Sequence, residues 1–502
     1  MRVMGVGFSI ALAFGNTIGV GILRLPGSVA AALHDPVLVI AVWVIGGVYA
    51  LLGAVSVAEL AAMTPLSGGF YVFSRRAFGP RFGFAVGWND WLATSVTCAY
   101  VSLTAVDFLG VLVPSVAAHP QATAIALIGL FTAVNWVGVR TGGAVQNAVS
   151  GLVGLMLVGL ALACFVLPAP SGAALGAAGP AGSPIRFTAA VVTGLIVALR
   201  TVLVTYDGWY GAIYMSEETV DPGRSLPRAV IGCAALVMAL YVLINLGYLH
   251  ALPLARLSTS KLPAAEVAAR IFPAGGAIFV TVVSLLTVLG LLNAMVLCAP
   301  RVLFALARDT ARARQLTQVG RGGTPQVATA ISMGLAVLLV LSGSLEQLVS
   351  VAAVFFVMNF VFSYSALFTL RVREPDAERP FRAWGFPAST GIVLIGSGIF
   401  LVLTAQEDPR SALIAGGLLL MSQPAYSWAN RRGARPRTLP RPRPPAELRG
   451  GSAFPAGTPA GSGSCSGPSP SACPPPAPSR SPAHAPRSGT IAAVPRRRWP
   501  RG

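Results

Sequence analysis

Twelve long apolar runs constrain what this chain can fold into. A helix needs about 20 mostly apolar residues to cross the hydrocarbon core of a bilayer, and the runs are close to that length. The chain is 54% hydrophobic and only 11% charged, whereas soluble domains carry about 25% charged residues. The sequence therefore predicts an all-α polytopic membrane protein with 12 transmembrane helices. The predicted spans are roughly residues 5–33, 37–63, 83–113, 122–138, 147–168, 188–216, 229–250, 276–308, 325–342, 347–371, 388–405 and 411–429.

The basic residues predict the orientation of these spans. With a cytoplasmic N-terminus, 16 basic residues before residue 430 lie on the cytoplasmic side and five lie in outside loops. Cytoplasmic loops of membrane proteins carry an excess of Lys and Arg, so we expect both termini in the cytoplasm. The preference for arginine over lysine favours a GC-rich bacterial source, with the protein in the cell membrane.

Residues 430–502 differ in composition from the predicted transmembrane domain, residues 1–429. They supply +12 of the net charge of +19 and contain 17 Pro and 13 Arg but two aromatic residues. Such a segment cannot bury enough apolar area to offset the entropy cost of ordering, so we expect a disordered cytoplasmic tail. Its arginines could contact anionic lipid, although a low-complexity extension without a specific role explains the composition better. The body carries only +7, so nucleic-acid binding is not indicated.

Cysteine and histidine are sparse, with six and four copies. They form no CxxC or HExxH motif and no Cys/His cluster. We therefore expect no metal, no cofactor and no disulfide framework. A nucleophile–base constellation is also absent from the sequence, which argues against an enzyme.

The first predicted span contains an interruption, Gly15–Leu23, with three glycines in seven positions. Each glycine weakens a helix by about 1 kcal/mol relative to alanine. Unwound backbone is tolerated at membrane depth only where it is buried in protein or lines a cavity. The ends of a broken helix expose N–H groups and carbonyls that can hold a carboxylate and a cation. Close helix packing through small residues is the alternative interpretation.

The sixth predicted span contains a second interruption, Leu203–Gly211, which includes Asp207 and two glycines. An ionisable group at this depth is expensive and indicates function, although Asp207 could instead bond freed backbone amides. Interruptions in spans one and six, which run in opposite directions, point to an inverted-repeat transporter with its site between the repeats.

Five segments together resemble the amino acid–polyamine–organocation superfamily and, within it, the L-type amino acid transporter branch. The resemblance extends from Met1 to about Trp428. The segments are Thr17–Leu23 (TIGVGIL), Ala58–Trp88, Thr205–Trp209 (TYDGW) with Glu217, Glu218 and Pro222–Arg228 after it, Leu289–Asp309, and Leu370–Pro387.

The resemblance implies a LeuT-like fold with a 5+5 inverted repeat. The repeats would be residues 5–168 and 188–371, followed by two further helices in residues 388–429. It also implies amino-acid transport by alternating access. The backbone of Ile18–Gly21 would bind the substrate α-carboxylate, and carbonyls around Val204–Tyr206 would bind the α-ammonium. The substrate-site residues so expected are Thr17, Ile18, Gly19, Val20, Gly21, Val204, Thr205, Tyr206, Asp207 and Trp209.

Several residues outside the two interruptions remain open. Asn293 is either a lining residue of the site or a helix–helix hydrogen-bonding group. Many relatives carry a lysine in helix five where this chain has Val153, which puts lysine-dependent proton coupling in doubt. Arg200 is interpreted as an ion-pair partner of Asp107 or as an outer-vestibule residue. Glu59 and Asp90 are expected to pair with basic or amide groups near the cytoplasmic face.

The expected substrate is a small to medium neutral L-amino acid, carried without sodium. The side chains around the predicted pocket are apolar or aromatic, and helix eight lacks the adjacent Ser/Thr pair often used for sodium. Asp207 keeps a cationic amino acid or polyamine permease open as an alternative. A sensor that retains the transporter fold is the alternative from another class. We expect a monomer without a covalent heavy chain, because Pro114–Gln121 lacks the cysteine that animal relatives use.

Overall fold

The computed structural model describes residues 4–166, 188–310 and 312–430, apart from the side chain of residue 314. The predicted disordered tail therefore lies outside the described residues. Within them the chain is helical, and the one strand-like pairing is a bridge between Met4 and Thr219. The α-helices are α1 (Val6–Thr17), α2 (Gly21–Leu33), α3 (Pro36–Met63), α4 (Phe70–Phe78), α5 (Pro80–Leu112), α6 (Pro120–Val137), α7 (Val139–Val166), α8 (Ala189–Thr205), α9 (Pro222–Ala251), α10 (Leu254–Thr259), α11 (Pro263–Ile271), α12 (Gly276–Arg308), α13 (Gln326–Ser342), α14 (Leu345–Arg373), α15 (Ala388–Glu407), α16 (Pro409–Leu420) and α17 (Ser422–Asn430).

Every predicted span coincides with a helix or a helix pair. Among the described residues, eight single helices are long and apolar enough to cross a membrane: α3, α5, α6, α7, α9, α12, α14 and α15. The bent pair α1–α2 makes a ninth, and α8 and α13 are shorter apolar helices. The pair α16–α17 occupies the last predicted span. The protein is therefore an all-α, multi-pass membrane protein.

Sequence features explain where several helices begin. The Asp35 carboxylate accepts hydrogen bonds from the N–H groups of Val37 and Leu38 and so caps α3. Proline occupies the first turn of α3, α5, α6, α9, α11 and α16, where its missing N–H costs nothing. Helix α7 begins at Val139 rather than near residue 147, because the helix continues beyond its apolar portion.

Equivalent helices of the two predicted repeats pack against each other. Helix α3, the second of its repeat, lies along α9, the seventh span, and α5 lies along α12. Small residues allow the close approach: a Cβ on Gly47 of α3 would lie 2.5 Å from Cγ of Met238 on α9. This pairing is the arrangement expected of an inverted repeat.

The two ends of the bundle can be told apart by the chain termini. Met4 pairs with the segment 218–220, and the N–H of Arg312 donates to the carbonyl of Ala429. Both described termini therefore lie at one end, which we call the termini end. The opposite end is the loop end.

Candidate functional site

The first predicted interruption is a broken helix. Helix α1 ends at Thr17 and α2 begins at Gly21, and their axes differ by 47°. The N–H of Ile18 still donates to Phe14, and the N–H of Leu23 donates to Val20. The N–H groups of residues 19–22 have no acceptor among the described residues. They form an anion-binding cradle at a helix N-terminus.

The second interruption ends α8 at Thr205. The N–H of Tyr206 donates to Val202, and the chain then turns through residues 206–210 into a 3₁₀ helix, Gly211–Met215. Gly208 has φ = +118°, a conformation that glycine adopts without steric cost. A side chain there would overlap the backbone of Asn16. Glycine at 208 therefore lets the two interruptions touch.

Hydrogen bonds join the two interruptions. The Nδ2 of Asn16 donates to the carbonyl of Gly208 at 2.8 Å. The hydroxyl of Tyr241 on α9 lies 3.2 Å from the carbonyl oxygen of Thr205 and 3.5 Å from that of Thr17. The carbonyl ends of α1 and α8 thus meet at one level, which suits a cation.

A cavity of about 310 Å³ lies between these interruptions. Nine of the predicted site residues line it: Thr17, Gly19, Val20, Gly21, Val204, Thr205, Tyr206, Asp207 and Trp209. Other residues of the cavity wall were not predicted from the sequence: Thr97 and Tyr100 on α5, Met295 on α12, and Phe356 and Phe360 on α14. These are ordinary residues of apolar helices, and no sequence signal distinguished them.

Two of the predicted residues do not line the cavity. The side chain of Ile18 packs in the core, although its backbone belongs to the break. Asn293 is fully buried; its Nδ2 donates to Oε1 of Gln146 at 2.8 Å, and its Oδ1 accepts from Asn135 at 2.9 Å. Asn293 therefore links α12 to α6 and α7, which is the helix–helix alternative. A lining role for it is wrong in this structure.

Asp207 stands in the cavity wall with incomplete hydrogen bonding. Its Oδ2 accepts from the Tyr210 hydroxyl over a long 3.4 Å, and the N–H of Gly208 faces the carboxyl group. Its Oδ1 is buried without a hydrogen-bond partner among the described residues. The carboxyl group is thus partly engaged by local backbone and partly available to a ligand.

Aromatic rings close the cavity toward the termini end. Phe360 stacks on Trp209 at 5.9 Å and on Tyr364 at 6.0 Å, measured between ring centroids. Tyr210 lies 5.5 Å from Phe360 and 5.0 Å from Phe70 of α4. We call this layer the aromatic floor. On the other side the cavity extends toward the loop end, where Thr104 of α5 and Val349 of α14 line it.

Beyond the aromatic floor, ion pairs join three of the segments that carry the family resemblance. Arg75 of α4 pairs with Asp309, at the end of α12, at 2.5 Å. Glu217, which follows the second interruption, pairs with Arg308 at 2.7 Å. Its neighbour Glu218 pairs with an α12 arginine, Arg301, at 3.4 Å. Burial raises the pKa of the Glu218 carboxyl group, and Arg301 opposes that shift. We call these pairs the ionic gate.

A second ionic cluster surrounds Glu59 of α3. Its carboxylate accepts from Arg371 at 2.7 Å, from Arg379 at 3.1 Å and from the N–H of Ala383 at 2.6 Å. Asp90, in contrast, accepts from the amide of Asn359. The expectation that Glu59 and Asp90 pair with basic or amide groups is confirmed.

Arg200 does not pair with Asp107. It forms an ion pair of 2.5 Å with Glu407 at the end of α15, and the two side chains are 36% and 56% exposed. Asp107 is instead acted on by the charge of Arg24. The expected ion pair with Asp107 is therefore wrong, and the outer-vestibule interpretation stays a prediction. A partner 207 residues away could not be identified from local sequence.

Comparison with known proteins decides the family. A family model described as amino acid permease matches residues 8–415. This chain belongs to the amino acid permease family. It is 26% identical over 443 residues to the serine/threonine exchanger SteT of Bacillus subtilis, covering 86% of this chain and 97% of that protein. It is 27% identical over 409 residues to the b(0,+)-type amino acid transporter 1 of Rattus norvegicus, covering 80% and 82%.

Family membership settles the broader expectations. The resemblance to the amino acid–polyamine–organocation superfamily and the LeuT-like fold is confirmed. The chain is an amino acid transporter and not an enzyme.

Proposed function

We propose that this protein exchanges small to medium neutral L-amino acids across the cell membrane, independently of sodium, by alternating access. The observation that carries the proposal is the meeting of two broken helices at one cavity, with unpaired N–H groups on one side and carbonyl ends on the other. We also assign the termini end to the cytoplasm, on the distribution of arginine, and a monomeric state to the protein.

The N–H groups of residues 19–22 suit the substrate carboxylate. They have no acceptor in this conformation, so an anion that reaches them gains hydrogen bonds and displaces none within the protein. Hydrogen bonds to a charged group contribute about 1.5–3 kcal/mol each. The N-terminal dipole of α2 adds to this attraction.

The carbonyl ends of α1 and α8 suit the α-ammonium group. Tyr241 holds the carbonyls of Thr17 and Thr205 within reach of one hydroxyl, so both lie beside the cavity. Binding both charged groups through backbone leaves the side-chain pocket to decide which amino acid is carried.

The rest of the cavity favours neutral side chains. Val20, Val204 and Trp209 are joined there by Met295 and Phe356. Burying an unpaired charged side chain among such groups costs several kcal/mol, on the order of 2–7 kcal/mol even for a neutral polar group without partners. The unpartnered Oδ1 of Asp207 favours the second candidate, a cationic amino acid, because it could serve as a counter-ion.

Two observations support transport without sodium coupling. In α12 the hydroxyl of Thr287 donates to the carbonyl of Val283 at 2.7 Å and so is used within its own helix. Ser284 is buried three positions before Thr287 in the same helix, so the two hydroxyl residues do not form an adjacent Ser/Thr pair. Exchange as the transport mode rests on the likeness to SteT, which is described as an exchanger.

The test is uptake into proteoliposomes that contain the full-length protein. Labelled alanine, threonine, leucine and arginine are compared with and without preloaded unlabelled substrate, in sodium and in choline buffer. We expect saturable uptake of the neutral amino acids that depends on preloading and not on sodium. Arginine uptake that exceeds all three and disappears in Asp207→Asn would replace the neutral assignment with the cationic one. Binding without uptake would favour the sensor.

A further inference from the structure

A carboxyl group lies buried between the cavity and the ionic gate. Asp90 of α5 is 0% exposed and precedes Thr97, a cavity residue, by seven positions. Seven residues are nearly two helical turns, so Asp90 lies on the same face of α5 and about 10 Å nearer the termini end. Its carboxyl group therefore sits behind the aromatic floor, within the closed end of the transporter.

The surroundings of Asp90 contain hydrogen-bond donors but no partner cation. Its Oδ1 accepts from the Tyr214 hydroxyl at 2.8 Å and from Nδ2 of Asn359 at 3.1 Å. The N–H of Phe70 faces the carboxyl group from α4, and Oδ2 is buried without a hydrogen bond among the described residues. From α12, the buried thiol of Cys298 is close enough to be influenced by the charge of Asp90.

No ion pair between described residues includes Asp90. Neighbouring α4 carries two arginines, Arg75 and Arg76, which pair with Asp309 and Glu374. The remaining titratable groups that interact with Asp90 are Tyr210, Tyr214 and the Cys298 thiol. The other carboxylates at the termini end that are buried or half-buried have arginine partners: Glu59, Glu217, Glu218, Asp309 and Glu374. Asp90 is the exception in that set.

Burial without a cation favours the neutral acid. An ionised carboxylate loses its hydration when it is buried, and neutral donors recover only part of that loss. The neutral form keeps its hydrogen bonds to Tyr214 and Asn359 and has no charge to solvate. In the present conformation, with the termini end closed, Asp90 is therefore best occupied by a proton.

We propose that Asp90 is a proton-binding site of the transport cycle, protonated while the termini end is closed and ionised when that end opens. Its cover consists of Tyr214, which follows the second interruption, and Phe70, which belongs to the aromatic floor. Alternating access requires this cover to move, and water then reaches the carboxyl group and accepts its proton. The site is separate from Val153, the position at which relatives carry an ionisable lysine.

Asp90 binds its proton more tightly in the closed state than in the open state. Protonation therefore stabilises the closed state at low pH, and this stabilisation is lost as the pH rises through the titration range of Asp90. Higher pH on the termini side should therefore favour opening. The proposal rests on alternating access, as the proposed function does, but it does not depend on which amino acid is carried.

The native thiol of Cys298 can report the opening. It is 0% exposed, and its sulfur lies 3.9 Å from the carbonyl oxygen of Gly211, in the segment whose Tyr214 covers Asp90. Movement of that segment therefore exposes the thiol to a small methanethiosulfonate reagent. The full-length protein is labelled in proteoliposomes that are permeable to the reagent, between about pH 6 and about pH 8.5. In this range, each proton linked to opening changes the ratio of open to closed protein by up to about tenfold per pH unit. Mass spectrometry then quantifies the Cys298 peptide separately from the other cysteines.

The comparison is between wild type and Asp90→Asn, which mimics the neutral acid at every pH. Dividing one labelling rate by the other removes the pH dependence of thiol chemistry itself. We expect the ratio of wild type to variant to rise several-fold with pH. The matched control is Asp107→Asn, on an exposed part of the same helix, whose ratio to wild type should stay flat.

A flat ratio of wild type to Asp90→Asn would overturn the proposal. If Asp90→Asn does not fold, Tyr214→Phe is used instead. This variant removes a hydrogen-bond donor that stabilises ionised Asp90, so the pH profile of Cys298 labelling should move to higher pH. A profile that does not move would also contradict the proposal. The same vesicles separate this proposal from the proposed function. If labelling depends on Asp90 but no amino acid is exchanged, only the proposed function is contradicted. If amino acids are exchanged but labelling does not depend on pH, only the proton site is contradicted.

Discussion

Replacing Gly19 by alanine should weaken substrate binding and leave the fold intact. A Cβ at this position meets open space, and its nearest heavy atom is the backbone nitrogen of Gly21 at 4.0 Å. The free protein therefore has nothing to rearrange. A carboxylate oxygen must come within about 2.9 Å of an amide nitrogen to bond it, and the added methyl group occupies part of that approach.

The expected loss corresponds to one charge-assisted hydrogen bond. Removing such a bond costs about 1.5–3 kcal/mol, which is roughly a 10- to 150-fold increase in Kd. Equilibrium binding of a labelled substrate to the purified protein measures this directly, and the melting temperature serves as the stability readout. Gly129→Ala on α6 is the matched control, because its Cβ also meets open space and it lies away from the cavity.

An unchanged Kd in Gly19→Ala would refute the assignment of the carboxylate to this break. So would normal transport by Gly19→Leu, whose side chain fills the space in front of the cradle. Gly21→Ala should behave differently, because its Cβ would lie 3.0 Å from Cγ2 of Thr205 and so disturb the contact between α2 and α8. We expect it to lower the melting temperature as well as the affinity.

Asn293→Leu should destabilise the protein by about 1–3 kcal/mol, because it leaves buried amides unpaired, and should leave Kd nearly unchanged; a large affinity loss at normal stability would return Asn293 to the substrate site. Glu59→Gln should cost about 3–5 kcal/mol because its arginine partners become uncompensated, whereas Glu217→Gln, in a pair about one third exposed, should cost about 1 kcal/mol or less; equal shifts in melting temperature would contradict this contrast. Deleting residues 431–502 should leave exchange rates unchanged, and ligand-stimulated turnover lost on truncation at normal expression would favour the sensor.

The broken helices were predictable because their sequence conflicts with their surroundings. Glycines at positions 15, 19 and 21 weaken a helix inside an apolar run, and Asp207 is costly at membrane depth. Such local conflicts indicate where the regular fold gives way. Helix ends were less predictable: α7 begins at Val139 because the helix continues beyond its apolar portion.

The cavity walls and long-range partners could not be predicted in the same way. Phe356 and Phe360 line the cavity, whereas many phenylalanines on other helices face lipid or pack in the core. Residue type alone therefore does not identify the phenylalanines that line the cavity. Asn293 has a type and depth that suit either a lining or a packing role, and only the positions of α6 and α7 decide between them. Arg200 similarly has Glu407 as its partner because α8 and α15 are brought together by the tertiary fold.

The exposure of the ion pairs indicates which contacts at the termini end can open. Of the two pairs that join the segment after the second interruption to α12, Arg308 and Glu217 are 30% and 34% exposed and can return to water at little cost. Arg301 and Glu218 are 3% and 18% exposed, so their separation needs water to enter as the gate opens. Glu59 and Arg379 are 0% and 2% exposed, and separating them would strand charges in the interior unless water reached both. We therefore expect α3 and the segment after α14 to stay together during transport, while the segment after the second interruption moves away from α12. The segment that is expected to move also carries Tyr214, which covers Asp90. A single movement would therefore open the ionic gate and let water reach Asp90.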